Sequence, residues 1–257
     1  VPGVPGFFVA AGMSLNGIAG AGGVGKVMAE WIIDGEPSLD LHEMNIRRFG
    51  ANYGNTDFVA EKAREVYHYY YHQHYPADET LWARNHRRSP LYDRLAGLGA
   101  EFGEKNGWER VNFFRPGEPS RQAADDQHQW GWGRAPYHDL IREECLAARE
   151  RVALFDMTSF GKFEVSGPGA LGLLQRVACN NIDRPDGSLV YTQFLNAHGG
   201  IESDLTVCRL AGDRFRIITG TSFLSHDLEW VRSHAPADGS VRSEERRVGK
   251  ECSSRWS

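Results

Sequence analysis

The stretch Asn196-Ala197-His198-Gly199-Gly200-Ile201-Glu202-Ser203-Asp204-Leu205-Thr206-Val207 decides the fold of this chain. Gly199-Gly200 permits a tight backbone path, and the turn leads into an apolar strand that begins at Asp204. Asp204 stands in that strand with Leu205 and Val207 after it. A carboxylate leading into an apolar strand needs a partner or a task. Two readings stay open on the residues alone. One is a turn-capping aspartate. The other is a hydrogen-bond acceptor or general base facing a ligand.

Working outward, 189–196 reads as the preceding strand. Residues 204–210 and 214–219 form a hairpin over Ala211-Gly212-Asp213, and 162–166 alternates like a further strand. Pro168 opens a helix over 169–178. Residues 137–150 read as a charged amphipathic helix and 222–233 as a final one. Upstream, 115–135 is rich in Pro, Gly and Gln and reads as a long surface connection. Gly107-Trp108-Glu109-Arg110 is a turn into a short strand, Ser89-Pro90 starts a short apolar stretch over 91–98, and 57–71 reads as a helix.

At the beginning of the chain, Phe7-Phe8-Val9-Ala10-Ala11 is an apolar run closed by Gly12 and reads as a buried strand. A loop of small residues extends from Asn16 to Gly23. A helix is expected over 24–33, stopped by Asp34-Gly35-Glu36-Pro37. Gly20 to Gly25 matches GxGxxG, but the strand ends too early for the tight turn of an opening dinucleotide fingerprint. Gly20 to Lys26 matches GxxxxGK, but Val27 stands where a phosphate loop needs Ser or Thr. His68 and His72 share a helical face without a glutamate between them. They read as part of an aromatic helix packed at a domain junction, and no metal set is assigned.

Composition bounds the rest. The 257 residues carry 29 Lys and Arg against 34 Asp and Glu, a net charge of −5. That balance excludes binding of nucleic acid by phosphate neutralisation. With 41% hydrophobic residues the chain can bury a core. No apolar run approaches the roughly 20 residues of a membrane helix, so no membrane partner is expected. The cysteines at 145, 179, 208 and 252 form no CxxC pair, which argues against a zinc knuckle and for a reducing compartment. The chain starts at Val1 and reads as the interior of a longer protein.

These residues carry a resemblance. Residues 151–210 resemble the folate-binding domain of the aminomethyltransferase (glycine-cleavage T-protein) family. The matching pieces are Leu154 to Phe163, Gly167-Pro168-Gly169-Ala170, Tyr191 to Asn196 and Gly199 to Thr206. Residues 1–115 resemble the region before that domain in dimethylglycine and sarcosine dehydrogenases, on Gly12 to Gly25, Arg48-Phe49-Gly50, Arg88 to Tyr92, Gly99 to Gly103 and Gly107 to Arg110. The combination resembles fused flavin–folate enzymes. It implies a mixed α+β and α/β chain: the end of a Rossmann-like FAD-binding domain over 1–36, a linking subdomain over 37–115, and the first part of a β-rich folate domain over 116–236.

The resemblance implies FAD and tetrahydrofolate as cofactors. An N-methyl amine such as dimethylglycine or sarcosine is oxidised, with an electron-transfer flavoprotein or oxygen as acceptor, and the one-carbon unit passes to tetrahydrofolate. Gly17, Ile18, Ala19, Gly20, Ala21 and Gly22 are implied against the flavin, where a helix N-terminus can meet an oxygen that gains charge on reduction. Asp204 is implied beside the folate amine nitrogens, and Tyr191 in the wall of the pterin pocket. The amine-oxidising residues are expected upstream of Val1, so this piece is expected to be inactive alone. The location implied is cytoplasmic for a bacterial source and the mitochondrial matrix for a eukaryotic one. The alternative is a stand-alone folate-binding or aminomethyl-transfer module without redox activity. Residues 242–257 resemble no part of the family. They read as the frame translation of a sequencing-library adapter, expected to be non-native.

Overall fold

The structure, a computed structural model, describes residues 1–76, 78–122 and 131–246. Its first regular element is helix α1, Gly17–Ile33. Residues 7–11 do not form the expected buried strand. They adopt no regular structure, and Phe7, Phe8 and Val9 are 55%, 39% and 44% exposed. An apolar run becomes a strand only where a neighbour takes its N–H and C=O groups, and among the described residues no strand lies beside this one. The glycine string is not a loop either but the body of α1. The chain turns earlier, at Ser14 and Leu15, whose φ angles are 43° and 72°. The Gly20 N–H then donates to the Asn16 carbonyl at 2.8 Å and closes the first helical ring. Glycine adopts helical angles as readily as turn angles, so its positions alone do not mark where a helix begins.

Three short 3-10 turns between His42 and Gly54 lead into α2, Thr56–Tyr69. Asn55 caps it, its side-chain oxygen accepting from the N–H groups of Asp57 and Phe58 at 2.9 and 3.1 Å. After α3, Tyr92–Gly97, comes a hairpin of β1, Ala100–Lys105, and β2, Trp108–Phe114. Asn106 and Gly107 turn it with φ of 50° and 82°, the left-handed pair a two-residue hairpin requires. The short strand β3, Arg121–Gln122, runs parallel to β1 and completes a sheet in the order β2-β1-β3.

The charged character of this region is resolved inside it. Glu65, Glu101, Glu104 and Glu109 are all buried. Arg84 grips Glu109 with two nitrogens at 3.0 and 2.5 Å, a bidentate fork. Lys62 bridges Glu65 at 3.0 Å and Glu104 at 2.6 Å. Glu65 also accepts the backbone N–H groups of Leu81 and Trp82. Buried carboxylates are tolerated because each has such donors. His68 stacks on Trp82 with ring centroids 5.5 Å apart, an aromatic packing role.

Helix α4, His138–Glu150, precedes the larger sheet. That sheet comprises β4, Gly161–Ser166; β5, Leu189–Leu195; β6, Ile201–Ala211; β7, Arg214–Thr219; and β8, Arg242–Glu245, in the order β5-β6-β7-β4-β8, with every pairing antiparallel. Helices α5, Ala170–Val177, and α6, Leu224–His234, cover one face. Alternate residues turn to them: Phe163, Val165, Phe194, Leu205, Phe215 and Ile217 are each at most 2% exposed. The opposite residues of the same strands form a second face that no described helix covers. Among the described residues the chain is thus a mixed α/β fold with two separate sheets.

Strand β8 lies within the stretch read as foreign to the family. Its residues pair with β4, and beyond it Arg246, with Arg216 and Arg214, donates to Glu164 and holds that carboxyl down at about 2. Residues 247–257 of that stretch lie outside the described residues. Among the described residues no helix is long and apolar enough to cross a membrane.

Candidate functional site

The uncovered face of the large sheet carries Asp204. Leu205 and Val207 point into the core, and strand alternation therefore turns Asp204 the other way, into solvent. The carboxylate that leads into this apolar strand is therefore on the solvent side and not in the core. Nor does Asp204 cap the Gly199-Gly200 turn. Asn196 does, its side-chain oxygen accepting from the N–H groups of His198 and Gly200 at 3.0 and 2.8 Å. Of the two readings open on the residues, the capping role belongs to another side chain.

Register brings Tyr191 to Asp204. Gln193 of β5 lies directly opposite Asp204 and Tyr191 opposite Thr206, so Tyr191 and Asp204 are diagonal neighbours on one face, within reach of a long side chain. Interaction with the neighbouring Asp204 carboxylate raises the Tyr191 phenol above its ordinary value. The ring remains 61% exposed, free to stack on a ligand. A carboxylate with a phenol beside it, on an open and mostly polar face, can accept a proton from an amine held above it.

Sequence reasoning missed what stands behind this face. Asp227 of α6 is completely buried, and His226 beside it is 3% exposed. Ser203, the residue before Asp204, donates to Asp227 at 2.8 Å, and Thr219 donates to it at 2.5 Å. The only signal in the sequence was a His-Asp pair inside an otherwise ordinary amphipathic helix. On the outer side of α6, His42 lies edge-on to His226 at 4.8 Å and stacked on Phe223 at 4.5 Å, and its Nδ1 is buried without a hydrogen-bond partner.

Burial lowers the His42 pKa below 6.5, and His226 and Arg48 push the same way while Asp227 and Asp40 oppose them. His226 also faces Glu202 at 3.7 Å. A histidine whose native pKa is depressed binds fewer protons folded than unfolded, so it withdraws stability as pH falls below 6.5. The thermal midpoint is expected to drop between pH 7 and pH 5.5, and His42→Phe, which keeps the stacking, is expected to flatten that part of the profile. Melting curves of the two proteins across this range check it; parallel slopes would refute the assignment to His42.

Near the start of the chain the six residues expected against a flavin divide into two sets. Asn16 makes no side-chain cap and no acidic residue stands in the first turn of α1. Gly17, Ile18 and Ala19 occupy that turn, where N–H groups have no helical acceptor. Gly20, Ala21 and Gly22 come after the first ring and their N–H groups belong to the helical ladder. They contribute open space instead, since a Cβ built on Gly20 or Gly22 would meet nothing within 4 Å. The helix start is tied to the end of α2, where Asn16 donates to the Tyr70 hydroxyl at 2.7 Å.

A cleft of about 400 Å³ lies between the linking segment and the large sheet, lined among others by Asn52, Phe58, Arg87, Trp108, Phe160 and Ser225. Neither Asp204 nor Tyr191 lines it, so the open sheet face and this cleft are separate features.

Residues 91–250 match the family described as the GCVT N-terminal domain, which is more than half of the chain. This chain belongs to that family. Residues 34–89 match the FAD dependent oxidoreductase central domain, so the order of the two regions is the one the resemblance implied. Among curated proteins, 4-methylaminobutanoate oxidase (formaldehyde-forming) of Paenarthrobacter nicotinovorans is 43% identical over 82% of this chain and 25% of its own length. Human mitochondrial sarcosine dehydrogenase is 39% identical over 82% of this chain and 25% of its own length. The mitochondrial pyruvate dehydrogenase phosphatase regulatory subunit of Mus musculus is 35% identical over 95% of this chain and 28% of its own length. The chain thus spans about a quarter of the length of the relatives it matches.

Proposed function

We propose that this GCVT-family chain is the junction of an FAD-dependent N-methyl amine dehydrogenase or oxidase, joining the end of its flavin domain to a tetrahydrofolate-binding domain. Similarity to sarcosine dehydrogenase and 4-methylaminobutanoate oxidase supports the substrate class, an N-methyl amine of the dimethylglycine or sarcosine type. Residues 1–36 are read as the end of the Rossmann-like flavin domain, 37–115 as the linking subdomain and 116–236 as the folate domain. Mitochondrial relatives support the matrix as the location for a eukaryotic source.

The donor sets fit these groups. The uncapped N–H groups of Gly17, Ile18 and Ala19 suit an electron-rich flavin edge, and the helix end favours negative charge there. The Asp204 carboxylate and the Tyr191 ring suit an amine-bearing planar ring. FAD, when bound, supplies the oxidising equivalents for the amine, and tetrahydrofolate takes up the one-carbon unit. For their part, the residues of this chain bind and orient. Asp204 accepts the amine N–H at a carboxylate oxygen and can take its proton as the bond to carbon forms. Tyr191 stands at the diagonal position beside that carboxylate and offers its exposed ring face.

The observation that carries this reading is the Tyr191–Asp204 pair on an uncovered sheet face of a GCVT-family domain. Titration calorimetry of this chain with 5-formyltetrahydrofolate, an unreactive analogue, tests it. Binding at micromolar to sub-millimolar concentration is expected, with about 5 to 8 kcal/mol of binding free energy. No heat up to several millimolar would overturn it and favour a non-catalytic role, such as the one named for the phosphatase regulatory subunit.

A further inference from the structure

Among the described residues, Asp227 is the one completely buried acidic residue in the region of the large sheet. A buried carboxylate persists only with donors around it, and here they come from two neighbouring strands. Ser203 Oγ donates to one oxygen at 2.8 Å and Thr219 Oγ1 to the other at 2.5 Å. His226 Nδ1 lies 3.1 Å from the oxygen that Ser203 uses. Thr219 sits opposite Leu205, and Ser203 opposite Phe194, so the clamp brackets Asp204.

The place where it acts matters. The β5–β6 register shifts between Phe194 and Leu195, at the pair adjoining Ser203. A bulge interrupts the ladder there, and a one-residue slip would carry Asp204 to the buried face. Regular pairing protects the register less at this point than further along β6. Holding the Ser203 hydroxyl inward holds Asp204 outward, because consecutive side chains in a strand leave by opposite faces.

We infer that Asp227 is a positioning residue for Asp204: through Ser203 and Thr219 it pins β6 beside the bulge and keeps the Asp204 carboxylate on the open face against Tyr191. That the positioned group serves folate chemistry rests on the reading proposed above; the geometry of the clamp does not. His226 completes the set at the Asp227 oxygen that Ser203 also uses.

The test uses this chain with two readouts. The first is the titration of the Tyr191 phenol, followed by NMR with labelled tyrosine in the absence of any ligand. The second is calorimetric affinity for 5-formyltetrahydrofolate. Asp227→Ala is expected to return the Tyr191 phenol toward its ordinary value and to weaken affinity about tenfold, the scale of one lost hydrogen bond to a charged group. Asp227→Asn keeps an oxygen for Ser203 and is expected to restore most of both. Should Asp227→Ala fail to fold, Ser203→Ala, which leaves the carboxylate to Thr219 and His226, is expected to move both readouts in the same direction. Unchanged readouts in a folded Asp227→Ala or Ser203→Ala chain would overturn the inference, as would an Asp227→Asn chain impaired as badly as the alanine variant. A wild-type chain that binds no 5-formyltetrahydrofolate, but whose phenol titration still responds to these variants, would overturn the folate reading and uphold the positioning role.

Discussion

Asp204→Asn, placed in a longer enzyme that carries this segment, is expected to lower one-carbon transfer to tetrahydrofolate by about 10²-fold or more, the range seen for a lost general base. Amine oxidation by the same enzyme is expected to stay within about twofold. Asparagine has nearly the size of aspartate and still offers Tyr191 an oxygen. What it removes is the capacity to take a proton, so the loss should fall on the transfer step and spare the flavin step. The side chain is exposed on β6, and a surface change of this kind moves stability by about 0.5 kcal/mol or less. The two half-reactions are separable: dye reduction reports oxidation, and trapped formaldehyde against methylene-folate reports transfer. Equal losses in both would make Asp204 a structural residue.

The largest stability effect is expected at Phe163. Its ring is wholly buried on β4, between β7 and β8 and beneath α6. Phe163→Ala removes the ring and leaves a cavity that a sheet backed by helices cannot close, a loss of about 3 to 5 kcal/mol. For a chain of this size each kcal/mol shifts the midpoint by about 2 to 4 °C. Urea unfolding followed by tryptophan fluorescence should show it plainly. Tyr191→Ala, on the same sheet but 61% exposed, serves as the contrast and should change stability by about 0.5 kcal/mol or less. A Phe163→Ala cost below about 1 kcal/mol would mean that the packed face is not the one described.

Much of the large sheet was legible in the sequence. The alternation at 162–166 and 214–219 appears as β4 and β7, the apolar residues after Gly199-Gly200 appear in β6, and the Ala211-Gly212-Asp213 turn joins β6 to β7 in a hairpin. The helices over 137–150, 169–178 and 222–233 stand within a residue or two of those limits. These features are local, because period and turn chemistry are set by residues a few places apart. Strand β1 was missed because its residues, Ala100–Lys105, include two glutamates and a lysine and show no alternation. Its two glutamates are nevertheless buried, whereas Lys105 is exposed; Lys62 pairs with Glu104 of β1 and Arg84 with Glu109 of β2.

The sequence by itself determined that Asp204 lies in a strand after a glycine turn and that Tyr191 lies in the strand before it. It also placed glycines 17 to 25 beside a helix. Only the tertiary structure decided that the two side chains share an open face, that Asn196 and not Asp204 caps the turn, that the helix begins at Gly17, and that Asp227 stands behind Ser203. The physical reason is the range of the interactions. Secondary structure depends on spacing along the chain, whereas register, face and hydrogen-bond partner depend on which distant segments pack together. Residues 203, 219 and 227 meet only after β6, β7 and α6 have closed on one core.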